Sequence, residues 1–418
     1  MITEQHVGVA PVSAATPFQP VLILAYFYPP DNYSGAARPH RLAKYLQRLG
    51  HPVEVLSARF EDGYVHEGHV HRVRGEFDHT PEKRFPWFYV EKAARLALLP
   101  QDEGATWLPR AARLAGRWMN QPLKPVLFST SPPVTVHMLA WWLKKRYGCR
   151  WIADFRDPLD GNPYRSLNAP RGRVFDRWLE RQIFRTADML VANTDAVAAM
   201  WNRKHPHRAE DIVTLWNGFD PERPFGPLDR EGGAVRLMRH VGSIYGDRYP
   251  LALRGALSRM IGDGRVDGSR IRVELIGPLS AEREAFNAEW WKEKPPVPAS
   301  EADRLIQTVD FLLLLDATHT GTSLQVPAKI FDYIRIGRPI LAWTKPGSPV
   351  ERILHDSGIA YQCLFPSDPE AEIDRKVSHF LSLEPTAREP ADQFRATFDA
   401  VNQAAQLSEW INRLHRRK

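Results

Sequence analysis

Cysteine is nearly absent: the 418 residues contain two, Cys149 and Cys363, far apart in the chain. They supply neither a disulfide framework nor a metal-ligand spacing, which makes a reducing cytosol the expected compartment. Long apolar runs are missing as well. The best, Phe311 to Leu315, is closed at both ends by Asp310 and Asp316, far short of the roughly 18–20 residues a spanning helix needs. Residues 1–20 hold neither a basic n-region nor a continuous apolar stretch and read as a loose tail rather than a signal peptide. No G-x-G-x-x-G, G-x-S-x-G, H-E-x-x-H or Walker loop occurs. Nicotinamide-dinucleotide, hydrolase-triad, zincin and P-loop chemistry therefore have no support.

Hydrophobic residues make up 43% of the chain and charged residues 25%, the composition of a folded globular protein. The length suits two domains of about 200 residues each. The net charge of +7 is unevenly shared. Met1 to Leu215 holds 29 Lys+Arg against 21 Asp+Glu, whereas the remainder holds 27 against 28. The first half should meet something anionic, although solvated helix faces would produce part of the same asymmetry.

Val21 to Tyr26 is a continuous apolar run of the kind buried in a parallel sheet. A Pro/Gly-rich loop follows, then a helical period from about Pro39 to Leu49 stopped by Gly50, then a strand at Val53 to Leu56. Strand and helix alternate onward: Val126 to Ser129, Thr135 to Tyr147, Trp151 to Phe155, Phe175 to Thr186, Met189 to Asn193, Asp195 to Trp201 and Ile212 to Leu215. Residues 217–235, dense in Gly, Pro, Asp and Arg, read as a linker. The alternation then restarts with Leu237 to Val241, Leu251 to Ile261, Arg272 to Ile276, Ala302 to Thr308, Phe311 to Leu315, Ala328 to Ile336 and Pro339 to Trp343. The expected organisation is a tail (1–20), a doubly wound α/β domain (21–216), the linker (217–235), a second such domain (236–390) and a terminal amphipathic helix within 391–418.

Ligands of open α/β sheets sit beyond the carboxyl ends of strands, so the loops there carry the candidates. Gly35 and Ala36 allow backbone N–H groups to approach an anion, with Arg38 beside them; a plain βα turn is the alternative. Arg156 and Asp157 end a strand where apolar continuation would be cheaper, and a structural Arg–Asp clasp is the alternative there. Gly242 permits close backbone approach and Arg248 can clamp a phosphate, unless it is a solvated surface arginine. Lys329 and Asp332, three apart near a helix start, suit a phosphate and a ribose diol or make an ordinary i,i+3 pair. His66, His69, His71 and His79 invite zinc, but their alternation with valines reads as an exposed hairpin or edge strand. Basic and aromatic residues interleave from Lys83 to Trp118, which suits either a helix on anionic lipid or one packed on the sheet. Nucleic acid is a poorer fit, since no binding motif accompanies the charge.

The order and spacing of several short segments resemble the group-1, family-4-type GT-B glycosyltransferases of bacterial polysaccharide and glycolipid assembly. The segments are Ala25–Pro30 with Gly35–Arg38, Ser129–Pro133, Asp154–Pro158, Asn217–Asp220, His240–Tyr245 and Pro327–Tyr333. The resemblance runs from Val21 to about Leu414. It implies two Rossmann-like domains facing across a cleft, with the acceptor on the first domain, the nucleotide-sugar on the second and the last helix crossing back. It also implies a retaining transfer with no cofactor and no metal. Arg248 takes the place of the family's phosphate-binding Lys, and Asp332 that of the ribose-holding second Glu of E-x7-E, with Gly321, Thr322 and Ser323 in the loop before it. The first Glu of that motif falls on Leu324 and the companion phosphate-binding Arg on Ser243. His137 is the nearest match to a sugar-facing histidine. The expected partners are a nucleotide-sugar donor, a glycan or lipid-linked acceptor and an anionic membrane surface at the inner face of the cell membrane. A nucleotide-sugar epimerase of the same fold and a catalytically silent membrane-surface subunit are the competing readings.

Overall fold

A computed structural model describes residues 18–31, 35–59, 64–75, 104, 106–160, 170–229, 233–280, 286, 288–319 and 324–416. Two parallel sheets organise them. The first runs in the order β3-β4-β2-β1-β5-β6-β7-β8, built from β1 (Val21–Leu24), β2 (Val53–Arg59), β3 (Tyr64–Glu67), β4 (Val70–Arg74), β5 (Val126–Ser131), β6 (Trp151–Phe155), β7 (Met189–Ala192) and β8 (Ile212–Thr214). Only β3, which hairpins onto β4, is antiparallel. This hairpin carries His66, His69 and His71, as the valine alternation indicates.

One face of that sheet is covered by α2 (Trp107–Met119), α3 (Thr135–Tyr147), α4 (Pro170–Thr186) and α5 (Asp195–Lys204). The other is covered by α1 (Ala37–Arg48) and, from the far end of the sequence, α12 (Ala400–Arg416). Helix α12 crosses back because Ala404, Leu407, Ile411 and Leu414 repeat at helical spacing and are buried against α1 and the sheet.

The second sheet, β11-β10-β9-β12-β13-β14, is parallel throughout. Its strands are β9 (Arg236–Val241), β10 (Ile271–Ile276), β11 (Trp291–Lys294), β12 (Phe311–Leu315), β13 (Ile340–Trp343) and β14 (Tyr361–Leu364). Helices α6 (Leu251–Gly262), α7 (Ala299–Gln307), α8 (Lys329–Ile336), α9 (Pro349–Asp356), α10 (Glu370–Ser382) and α11 (Asp392–Phe398) complete this half. Periodicity did not reveal β11, β14 or the helices from Pro349 to Phe398. Strands β11 and β14 have only four residues each and lie at the sheet edges, where a buried apolar run is not required.

In each sheet the first strand has later strands on both sides, β1 between β2 and β5 and β9 between β10 and β12. The crevice at such a switch point is where doubly wound sheets take ligands. The loops there are those after β1, β5, β9 and β12.

Candidate active site

The loop after β12 reaches across to the first sheet. The Leu324 carbonyl accepts from Thr194 Oγ1 at 2.9 Å, its side chain packs on the first domain's core, and Gln325 Nε2 donates to Asp157 Oδ1 at 2.7 Å. Asp157 and Thr194 follow β6 and β7, so the carboxyl ends of the two sheets face one another at this contact.

On the second-domain side, Gly242 has a φ of +145°, and a β-carbon built on it would lie 2.1 Å from Lys329 Nζ. Glycine is therefore required twice, once for the backbone and once for the space the ammonium occupies. Burial lowers the pKa of Lys329, the charge of Arg248 lowers it further, and Asp332 acts in the opposite direction. The Arg248 guanidinium lies over the Tyr245 ring, 4.3 Å from its centroid, and its buried Nε has no partner among the described residues. Asp247 fastens this turn to the loop after β12 by accepting from Thr318 N and Oγ1, both at 2.6 Å.

His240, at the end of β9, was not singled out by the sequence. Its Nδ1 lies 3.0 Å from the Leu313 carbonyl, which can only accept, so Nδ1 carries the proton. Burial and the charges of Lys329 and Arg248 push its pKa down to about 3. The neutral ring leaves Nε2 a bare lone pair, unpartnered among the described residues and beside Gly242. The available signal was a histidine at the penultimate position of a buried strand.

The first domain repeats the arrangement. The Arg156 guanidinium lies on Gly35, where a β-carbon would sit 2.3 Å from Nη1. Its Nε donates to the Ser131 carbonyl at 2.8 Å and Nη2 to that of Pro132 at 2.6 Å, which leaves N–H groups for a ligand. Burial lowers its pKa to about 10 against the pull of Asp154 and Asp157. Ala36 is buried beneath the same loop, and Ser243 is exposed.

Two candidates belong elsewhere. Arg38 is buried with every N–H used: Nε and Nη2 grip Asp154 at 2.9 and 2.7 Å, Nη2 also donates to the Leu215 carbonyl, and Nη1 serves the Trp216 carbonyl and Asn217 Oδ1. It has no donor left for a phosphate, because a buried guanidinium must satisfy its hydrogens locally. His137 is fully enclosed, 2.8 Å from Ser129 Oγ and packed on Phe155, and burial lowers its pKa to about 3. It is a neutral core imidazole, since an ordinary helix position facing the sheet is buried with its neighbours.

Asp332 is turned toward Arg223 of the connecting segment, 3.7 Å away, and burial raises its pKa against Arg223, Arg335 and Arg41. Gly321, Thr322 and Ser323 fall outside the described residues, as do His79 and residues 83–100.

Residues 35–218 match the family model described as a glycosyl transferase 4-like domain. Those residues are thus similar to that family, over somewhat less than half of the chain. Sucrose-phosphate synthase from Thermosynechococcus elongatus superposes with a TM-score of 0.61 at 10% identity, over 96% of this chain and 100% of that one. HepE from Anabaena, in complex with UDP and glucose, gives 0.57 at 12% identity over 94% and 100%. The lipopolysaccharide outer core galactosyltransferase WaaB gives 0.55 at 11% identity over 94% and 99%. These likenesses establish the GT-B fold. No curated protein matches the chain by sequence. Within this fold, Lys329, Arg248 and His240 lie on the second domain and Arg156 and Asp157 on the first. No helix among the described residues is long and apolar enough to cross a membrane.

Proposed function

We propose that the chain transfers a sugar from a nucleoside-diphosphate sugar to an envelope polysaccharide or lipid-linked acceptor, with retained configuration and without a metal ion. The observation that carries this reading is the pair Lys329 and Arg248. Lys329 lies against Gly242 and feels the charge of Arg248, whose guanidinium covers Tyr245, and no carboxylate forms an ion pair with either among the described residues. Like charges in a desolvated pocket oppose each other, and a diphosphate placed between them relieves that repulsion. As the glycosidic bond to the donor breaks, negative charge grows on the departing diphosphate, and fixed cations stabilise it there. The Anabaena neighbour's complex with UDP and glucose favours the same donor class. In this reading the acceptor lies on the first domain, with Arg156 and Asp157 lining the reaction cleft, and contact between the domains excludes water. The reaction would take place in the cytoplasm, against the inner face of the cell membrane.

The test is thermal unfolding with UDP, GDP, ADP and TDP on wild type, Lys329→Ala and Arg248→Ala, with and without a chelator. A diphosphate at 100 times its dissociation constant adds about 2.7 kcal/mol of stability. We expect one diphosphate to stabilise wild type but neither variant, with the chelator changing nothing. Equal stabilisation of all three proteins, or none of any, would remove the donor-site assignment.

A further inference from the structure

His240 has no task in the proposed transfer, although it is buried at the end of β9, where it feels the charges of Lys329 and Arg248. Its Nδ1 is committed as a donor to the Leu313 carbonyl at 3.0 Å, so Nε2 can only accept. An ionised phosphate oxygen has no hydrogen to give it. Whatever Nε2 takes must bring an N–H or an O–H, and the Lys329 ammonium carries three. The position of a Gly242 β-carbon lies 2.1 Å from Lys329 Nζ and 3.6 Å from His240 Nε2, so the two nitrogens border one small space. Among the described residues no hydrogen bond holds the ammonium, and none reaches Nε2. Lys329 is also the first residue of α8, where the helix dipole disfavours a cation. Burial and Arg248 oppose its charge further, with Asp332 as the favouring carboxylate. A neutral acceptor beside the ammonium offsets part of that cost without competing for an anion.

We infer that His240 is a positioning residue for Lys329: its Nε2 accepts one ammonium hydrogen and turns the other two toward the diphosphate. Packing alone can leave a histidine Nε2 idle, as it does for His137 against the Phe155 ring. His240 differs in having an unheld ammonium across the same small space. The aim toward a diphosphate rests on the donor-site reading, whereas the histidine–lysine pair does not.

Two substitutions separate the ring's two nitrogens. His240→Asn keeps a donor for the Leu313 carbonyl but has no atom at the Nε2 position, whereas His240→Gln can place an oxygen there. His137→Asn, in the core of the other domain, controls for destabilisation, and far-UV circular dichroism shows which variants are folded. Lys329 is titrated by NMR in the ligand-free full chain carrying isotopically labelled lysine, its signal identified by its loss in Lys329→Arg. Removing the acceptor disfavours the charged form, so His240→Asn should lower the Lys329 pKa by about one unit, the size of a lost hydrogen bond to a charged group. His240→Gln should restore most of it. Calorimetry with UDP, GDP, ADP and TDP should show diphosphate binding about tenfold weaker in His240→Asn, largely recovered in His240→Gln and unchanged in His137→Asn. A Lys329 pKa that is the same in wild type and His240→Asn would overturn the assignment. If affinity fell while that pKa stayed, Nε2 would serve the ligand directly, which overturns it equally. So would equal losses in the Asn and Gln variants, since the effect would then be packing. Should wild type bind none of the diphosphates, the donor-site reading falls by itself, and the titration alone decides the pair.

Discussion

At the scale of single residues, burial decides what each charged group can do. Arg38 lies in the first turn of α1 and Arg156 directly after β6, yet the first is consumed by Asp154 and three further acceptors while the second keeps donors toward the cleft. Asp316 shows the same principle through pH. It follows β12, accepts from Thr344 Oγ1 at 2.9 Å and the Ala317 amide at 2.8 Å, and burial raises its pKa from 3.8 to about 6. Below the lower value both folded and unfolded chains hold its proton. Between the two values only the folded chain does, so this group's contribution to stability falls as pH rises through that window. The full cost above it is about 3 kcal/mol, taking 1.36 kcal/mol per pKa unit. Asp316→Asn should flatten the window, which urea unfolding of both proteins at its two ends would measure. An unchanged pH slope would mean that the carboxyl is solvated.

At the scale of elements, the two passages of chain between the domains form one joint. The Phe219 amide donates to the Phe398 carbonyl and the Ala400 amide to that of Phe219, both at 3.0 Å. Lys44 and Tyr45 of α1 hold Asp220 at 2.8 and 2.5 Å, while Arg223 pairs with Asp303 of α7. The linker is thus tied to both halves. Gly218 makes this closeness possible, since a β-carbon there would lie 2.0 Å from the Phe398 carbonyl oxygen. Gly218→Ala should cost about 1–3 kcal/mol, the usual penalty of overpacking. Gly226→Ala, in the same segment with nothing within 4 Å, should stay within about 0.5 kcal/mol of wild type. Equal denaturation midpoints for the two variants would show that the passages separate freely.

At the scale of the whole molecule, the contact between the domains bears on chemistry as well as shape. Leu324 packs on the first domain, and Gln325 places its amide on Asp157. Gln325→Ala should leave nucleoside-diphosphate affinity within about twofold, because the two cations proposed to meet the diphosphate, Lys329 and Arg248, both belong to the second domain, yet it should loosen the closed cleft. The expected readout is a higher ratio of donor hydrolysis to transfer. An unchanged ratio would show that closure does not depend on this hydrogen bond.

What the sequence determined by itself was local and periodic. The apolar runs at Val21 and Phe311, the helical spacing of Leu407, Ile411 and Leu414 and the glycine-bearing loops after β1 and β9 specify two doubly wound units, because burial on one or both faces leaves its period in the chain. The loops of the candidate site followed from the same pattern. Tertiary structure alone decided which charged side chain in those loops is free. Arg38 and Arg248 look alike in sequence, but one meets Asp154 from a strand more than a hundred residues away and the other meets no carboxylate among the described residues. His137 and His240 are both buried with an Nε2 that has no partner among the described residues, and they differ in surroundings, one packed on Phe155 in the core and the other beside Gly242. A side chain's partners come from distant segments, and only the folded chain brings those segments together.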